Sequence, residues 1–527
     1  MDKETKELRL AQWAGIISEQ KKRGLTVREW CEQSGITRDS YYYWQRKVRK
    51  EVYEELNLKR ITSLVLSLAL ILGGMVVFTG CGGNQTNKEQ DTLKEIINLN
   101  IKYLLNDFWY EERPYSYWPS SGIGNAVELT DDQNEDMQWS AASFANWRDE
   151  EYLYIANSTG GQRANENSIR PLSHTCYVVG TAIKYDIYDE SVVGVTEADA
   201  TLMISKLIKS LSRDHLSNTD GGWGDMWQSA LWAENTALGA WMLWDELDDE
   251  TIEYVQNMLL HESNRFNDYT VPYYMDSEGN IVYEGDTKGE ENAWNSTALA
   301  LALCMFPENK NVKIWMDKLE ELLLSSSASP EDVHSDEVVD GYVLSDVLNG
   351  SNINEDGTVV NHGRYHIDYT ATTIEGMLDT AFIFRAEGRD VPDAAYFNLD
   401  KMYGALVTLD LGKYDEENAG HHFYEHSEDG GVSSAVNMPG DNDWGGMWYP
   451  SYYLLDTAVQ IRGLDTELPD GLKASDWAEI HLETIHEMVT RGEAKGNFFI
   501  EGENNFVSGE TYMMHNLIKA YVLKYGE

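Results

Sequence analysis

The chain of 527 residues sets 41 Lys+Arg against 89 Asp+Glu, a formal net charge of −48. That balance excludes nucleic-acid binding by the bulk of the chain and disfavours a highly anionic substrate outside a locally basic site. Four cysteines exclude a disulfide framework: Cys31 and Cys81 precede or end the apolar stretch described below, and Cys176 and Cys304 sit in apolar helical sequence. The latter two read as buried thiols, with one disulfide as the alternative.

The charge is unevenly spread. Residues 1–60 hold 14 basic and 10 acidic side chains, which leaves 27 basic against 79 acidic for the rest. Residues 8–50 read as three short helices. Thr26 caps VREWCEQ with Glu29 completing a capping box, Gly35 turns the chain, and Thr37 caps RDSYYYWQRKVRK. These are the parts of a helix-turn-helix, whose second helix would bring Arg38, Arg46, Lys47 and Arg49 to phosphates or bases. The bland alternative makes Tyr41–Trp44 core aromatics of a three-helix unit. The run WAGIISEQKKRGLTVREWCEQSGITRDSYYYWQRKVR resembles the small accessory proteins of insertion-sequence-66-class transposons. The resemblance implies DNA as a partner of residues 1–50, provided they are made and stay in the cytoplasm.

Residues 61–81, ITSLVLSLALILGGMVVFTGC, are apolar from Ile61 to Thr79 and follow Lys59–Arg60. A run of that length can span a bilayer, and the preceding positive charge predicts a cytoplasmic N-terminal side. Gly80-Cys81-Gly82-Gly83 resembles a bacterial lipobox with Phe78 where Leu is usual. The resemblance implies lipidation of Cys81; the alternative is an uncleaved membrane anchor. Either reading predicts a bacterial protein, exported to the cell surface or periplasm, with its later residues outside the cytoplasm. A DNA-binding head does not belong on such a protein, so a gene fusion or translation from near Leu56 or Leu58 is expected. The predicted organisation is 1–56 helix-turn-helix segment, 57–81 signal or anchor, 82–90 tether and 91–527 one large domain.

Helical periodicity recurs in that domain at 92–107, 137–148, 172–187, 196–213, 226–246, 249–267, 289–305, 311–326, 368–388, 394–408, 450–462, 473–491 and 508–525. Strand signals are confined to short runs such as Asn280–Tyr283 and Thr358–Val360. The fold class is all-α, and helices alternating with long Gly/Asp/Asn-rich loops suit an (α/α) barrel, or toroid, of six or seven helical hairpins. The chain's 17 Trp and 31 Tyr are compatible with stacking on sugar rings, although core packing accounts for most of them.

Four blocks concentrate chemistry. In GGWGDMWQ, residues 221–228, Trp223, Trp227 and Gln228 flank a helix start, and Asp225 lies between the two Trp. Glu234 and Asn235 then interrupt an apolar helix and must be hydrogen-bonded or face a cavity. In GDTKGEENAWN, residues 285–295, Thr287 and Glu290 spell a capping box, with Glu291, Asn292, Trp294 and Asn295 in the first turns. Asn292 and Asn295 there share a face near the positive end of the helix dipole, where a substrate carboxylate could be neutralised. The third block, NHGRYHIDY, places His362, Arg364, Tyr365, His366, Asp368 and Tyr369 at a helix entrance. It is the densest acid–base cluster in the chain. The fourth runs from His421-His422 to Asn442-Asp443-Trp444; His422-Phe-Tyr-Glu425-His426 fits an inverted zinc-protease pattern, but Gly420 and Gly430-Gly431 oppose the helix that mechanism needs.

Together GDMWQSALWAEN, GDTKGEENAWNS, NHGRYHIDY and NDWGG resemble the α-toroid polysaccharide lyases and related carbohydrate-active enzymes, over residues 91–525. The resemblance implies an enzyme that cleaves a uronate-containing polysaccharide. No cofactor is expected, since the sequence has neither a nucleotide-phosphate loop nor a structural zinc pattern; a bound calcium stays open among the carboxylates, without EF-hand-like spacing. Asn295 would neutralise the uronate carboxylate with Asn292 and Arg364 in support, His366 or His362 would be the base, and Tyr369 or Tyr365 the acid. Trp223, Trp227, Gln228, Asn235, Trp294, Asn442 and Trp444 would bind sugar. A glycoside hydrolase is the rival, with its acid–base pair drawn from Asp225, Glu234, Glu290, Glu291, Asp368 and Asp443. A non-catalytic glycan-binding lipoprotein is the third reading.

Overall fold

The computed structural model describes residues 82–102, 104–105, 161–409, 411–413, 436–437, 449–464, 472–495 and 507–526, together with Ser34. The chain divides into two units, Met1–Gly82 and Gly83–Glu527. The helix-turn-helix, the apolar stretch with Cys81, the helix expected at 137–148, the His422–His426 motif, Asn442, Asp443 and Trp444 all lie outside the described residues.

The second unit is mostly helical, so the all-α class holds. Its longer helices are α1 (Gly82–Lys102), α2 (Gly161–Lys184), α3 (Glu197–Arg213), α4 (Ser229–Met242), α5 (Asp249–Asn264) and α6 (Gly289–Met305). They continue as α7 (Val312–Ser326), α8 (Ile367–Glu387), α9 (Leu399–Thr408), α10 (Tyr449–Ile461), α11 (Ala474–Lys495) and α12 (Val507–Tyr525). Helix α6 begins and ends where the sequence pattern places it. Helix α2 starts well before the expected 172 because GQRANENSIR is too polar to show an apolar period.

Sequence separates two kinds of helix. In α4, SALWAENTALGAWM is apolar or small on every side, and all but Trp241 is buried. Helices α6 and α8 are likewise enclosed over most of their length. A helix that is apolar all round has no solvent face and must sit among other helices. By contrast α3 buries one stripe, Met203, Ile204, Leu207, Ile208 and Leu211, and carries charge elsewhere.

Packing follows that division. Helix α2 packs on α4, α4 on α6, α6 on α8, α8 on α10, α10 on α12, and α12 on α2. Helix α3 lies against α2 and α4, α5 against α3, α4 and α6, α7 against α6, and α11 against α10. Small residues allow the closest approaches. A Cβ on Gly239 of α4 would lie 2.4 Å from the Cys176 carbonyl oxygen of α2, and one on Gly376 of α8 would lie 2.9 Å from Ala293 Cβ of α6.

Caps fix several helix starts. Thr196 Oγ1 accepts from Asp199 N at 3.1 Å, and Asp248 Oδ1 accepts from Thr251 N at 2.7 Å. The capping box expected at Thr287–Glu290 does not form. The Thr287 N–H donates to Val360 O at 2.8 Å, so the glutamate has no orphan donor to reach back to. Thr287 Oγ1 donates to Asn352 O instead and accepts from Gly289 N.

The strands are short. Strand β1 (Met275–Asp276) pairs with β4 (Gly350–Ser351), and β2 (Val338–Val339) with β3 (Tyr342–Val343). Strand β5 (Val360–Asn361) pairs antiparallel with β6 (Arg364–His366), which pairs parallel with β7 (Val436–Asn437). The expected strand at Thr358–Val360 thus falls at Val360–Asn361, whereas Asn280–Tyr283 is a loop with one bridge between Ile281 and Met275. Among the described residues no helix is long and apolar enough to cross a membrane.

Candidate functional site

The β5–β6 hairpin turns in two residues, His362 and Gly363, with φ of +50° and +74°. Positive φ at both central positions is what a type I′ turn demands, and its twist matches that of the flanking strands. Glycine adopts this at little cost, histidine at some. The turn rests on a second loop: Gly363 N donates to Gly285 O at 2.9 Å. His362 therefore projects from a fixed, exposed backbone site directly before α8.

The first turn of α8 brings Tyr369 under it. His362 Nε2 and Tyr369 Oη lie 2.9 Å apart, and the tautomer decides which donates. His366 completes the group, its ring centroid 4.7 Å from Tyr369 and 5.8 Å from His362. His366 is buried and its Nδ1 has no hydrogen-bond partner among the described residues. Burial, with the nearby His362 and Arg364, pushes its pKa down to about 3, so the ring is neutral at physiological pH. Tyr369 is half-buried, and burial together with the Glu290 and Asp286 carboxylates raises its pKa, which keeps the phenol protonated. Side chains alternate along a strand, so Tyr365 points to the face of β6 opposite Arg364 and His366.

Glu290, on the first turn of α6, closes the site from below. Asn361 Nδ2 donates to its Oε1 at 3.3 Å, while Oε2 is buried without a partner among the described residues. Burial, then the Glu291 charge, raises its pKa well above the usual carboxylate range. Glu291 itself is paired with Lys288 at 3.1 Å. Asn292 is tied into the fold, donating to Pro272 O and Ser325 Oγ at 3.0 Å each. Asn295 is 7% exposed and makes no side-chain hydrogen bond among the described residues. Asp368 accepts from Tyr452 Oη at 2.7 Å in the interior.

The loop before α4 supplies an aromatic edge. Trp227 is 42% exposed and meets Trp294 of α6 edge-on, centroids 5.2 Å apart. Gln228 is buried, and its Oε1 has no partner among the described residues. Trp223 is a different case. It is wholly buried, donates its indole N–H to Leu211 O at 2.9 Å and packs on His215 and Trp232, so it is a core residue.

Glu234 and Asn235 also lie in the interior. Asn235 Nδ2 sits 3.4 Å from His174 Nδ1, and neither Glu234 oxygen has a hydrogen-bond partner among the described residues. Around them Lys519 Nζ pairs with Asp379 Oδ2 at 2.7 Å and donates to Glu375 O, while Tyr177 Oη donates to Asp379 Oδ1 at 2.9 Å. Asn516 Nδ2 donates to Glu375 Oε2 and Ser451 Oγ. This network was not singled out from sequence. Its one sequence signal is charge inside apolar runs, as with Lys519 in LIKAYVL.

A further cluster also escaped sequence reading. Glu262 lies in the buried stripe of α5 with Val255, Met258 and Leu259, and pairs with His215, Arg265 and the Asp225 backbone. Asp225 itself, half-exposed, meets His261 at 2.9 Å and Arg265 at 3.3 Å. Among the described residues no group of three His, Cys, Asp or Glu is arranged to hold a metal ion.

No protein-family model matches this chain, and neither a curated protein nor a solved structure does. The site's chemistry therefore rests on its own geometry. A neutral imidazole, an imidazole–phenol hydrogen bond, an arginine and a protonated carboxyl converge at one hairpin and two helix starts, which suits proton transfer to and from a bound molecule.

Proposed function

We propose that the domain is an (α/α) toroid that cleaves a uronate-containing polysaccharide by β-elimination, on an exported, lipid-anchored protein. The closed circuit of α2, α4, α6, α8, α10 and α12, backed by α3, α5, α7 and α11, supports the toroid. The observation that carries the chemistry is the 2.9 Å contact of His362 with Tyr369, beside the neutral His366. Arg364 and Asn295 neutralise the uronate carboxylate and so acidify the C5 proton. His366, or His362, takes that proton. The C4–O bond breaks as the C4–C5 double bond forms, and Tyr369 gives its proton to the leaving oxygen. Tyr365, on the other face of its strand, is the weaker candidate for the acid.

The hydrolase reading keeps one specific support, Glu290. A buried carboxyl held protonated, with one oxygen unpartnered, is the form a general acid requires. One experiment separates the readings. The full-length protein in detergent is incubated with polygalacturonate, alginate, hyaluronan and chondroitin, while the ultraviolet absorbance of an unsaturated uronate is followed. Rising absorbance that is lost in Tyr369→Phe supports elimination. New reducing ends without absorbance, lost in Glu290→Gln, transfer the assignment to a hydrolase. Neither signal leaves a glycan-binding protein.

A further inference from the structure

The exposed Trp227 sits in a loop whose backbone is unusual. Gly221 and Gly224 have φ of +77° and +134°, and Asp225, a residue with a Cβ, has +52°. Something must hold such a turn. The structure places one clamp there, built from the end of α5 and the residue just after it. Glu262 is wholly buried and its Oε1 accepts from the Asp225 backbone N–H at 3.1 Å and lies 3.1 Å from His215 Nε2. Ser217 N donates to His215 Nδ1 at 3.2 Å, so the Nε2 proton is directed to Glu262.

Arg265 grips the next residues. It pairs with the other Glu262 oxygen, meets Asp225 Oδ1 at 3.3 Å, and donates to Met226 O at 3.2 Å and to Ser229 Oγ at 2.7 Å. Ser229 Oγ in turn accepts from Met226 N at 2.9 Å. Positions 225, 226 and 229 are all fixed, and Trp227 lies between them with no hydrogen bond of its own among the described residues. Its ring leans on Trp294, the neighbour of Asn295 on the helix that also carries Glu290.

We infer that Glu262 and Arg265 are positioning residues for the proposed cleft: they set the pose of Trp227 toward bound sugar without touching it. The inference rests on the glycan reading above for its ligand, and on the hydrogen bonds alone for its mechanics. An arginine can hold a carboxylate, a carbonyl and a hydroxyl at once because its guanidinium is a rigid, five-donor fork; lysine cannot.

The test uses full-length protein with 5-fluorotryptophan, the Trp227 ¹⁹F resonance being assigned by its loss in Trp227→Phe. Arg265→Gln should shift or broaden that resonance while the Trp315 and Trp232 resonances of the core stay in place. On whichever of the four uronate polymers is cleaved, Arg265→Gln should raise KM about tenfold with kcat within about twofold, the signature of lost uniform binding. Arg265→Lys should resemble Arg265→Gln, and Arg265→Gln combined with Trp227→Ala should be no worse than Trp227→Ala alone. An unmoved Trp227 resonance in folded Arg265→Gln overturns the clamp, as do KM effects that multiply. Should none of the polymers be cleaved, the resonance still decides the clamp while the glycan reading falls separately. If Arg265→Gln does not fold, Asp225→Asn, at a half-exposed site, reads the same resonance.

Discussion

The His362–Tyr369 hairpin and the Lys519–Asp379 interior both set ionisable groups against apolar helices, yet they are built on opposite terms. In the interior each charge is answered: Lys519 meets Asp379 and the Glu375 carbonyl, Tyr177 meets Asp379, and Asn516 meets Glu375. Glu234, whose pKa burial raises, has no partner for either oxygen among the described residues, and Glu375 Oε1, Asn235 Oδ1 and Asn516 Oδ1 lack one too, but all of these are enclosed. At the hairpin the groups are left poised. His366 Nδ1 and Glu290 Oε2 lack partners among the described residues, and the His362 ring is exposed. Buried polarity that is satisfied holds a fold together, whereas unsatisfied polarity beside an opening is available to a ligand.

Breaking the first region should cost stability and breaking the second should cost activity. Lys519→Met takes from the buried Asp379 the cation that answers it and should destabilise by about 3–5 kcal/mol, read by urea denaturation. Tyr369→Phe should lower kcat on the cleaved polymer about 10²–10⁴-fold. The same urea titration should move little for that half-buried side chain. Gly239→Ala forces α2 and α4 apart at the Cys176 carbonyl and should cost about 1–3 kcal/mol, with activity preserved.

The smallest effect is one of pH. Burial raises the Glu234 pKa in the folded protein above its unfolded value of about 4.3. The folded state then binds more protons than the unfolded one, so this group's contribution is full below that value and is lost as pH rises toward the folded pKa. Glu375, with a folded pKa of about 7, adds a slope of the same sign. Glu234→Gln should flatten the decline of stability between pH 5 and 8 in part, and urea midpoints measured across that range check it. An unchanged slope would mean that Glu234 is already paired.

Helical elements were legible because their signal is local. The run ENAWNSTALALALCM is long, rich in Ala and Leu and free of Gly and Pro, and helix α6 lies where those local preferences predict. The interior network was not legible, since its partners are brought together only by closing the helical circuit: Tyr177 with Asp379, and Lys519 with Asp379 and the Glu375 backbone carbonyl of α8. The polar pair Glu234–Asn235 announced a buried polar site but not where it lay. Thr287 and Glu290 show the reverse failure. They match a capping pattern, but Val360 O takes the backbone donor that the pattern needs, and only tertiary structure reveals that. Trp223 and Trp227, four residues apart in one motif, are indistinguishable by type and end up in the core and on the surface.

The two-residue turn at His362–Gly363 also acts as a phase-setter for the strand that follows it. With a period of two, each added residue exchanges the faces of everything downstream in that strand until pairing is re-established. One glycine inserted after Gly363 would therefore carry Tyr365 to the side now held by His366, and His366 to the side now held by Tyr365, without altering the composition of the site. Which ring this hairpin sets beside Tyr369, the proposed base included, is thus encoded less by a histidine at a given position than by the parity of a turn.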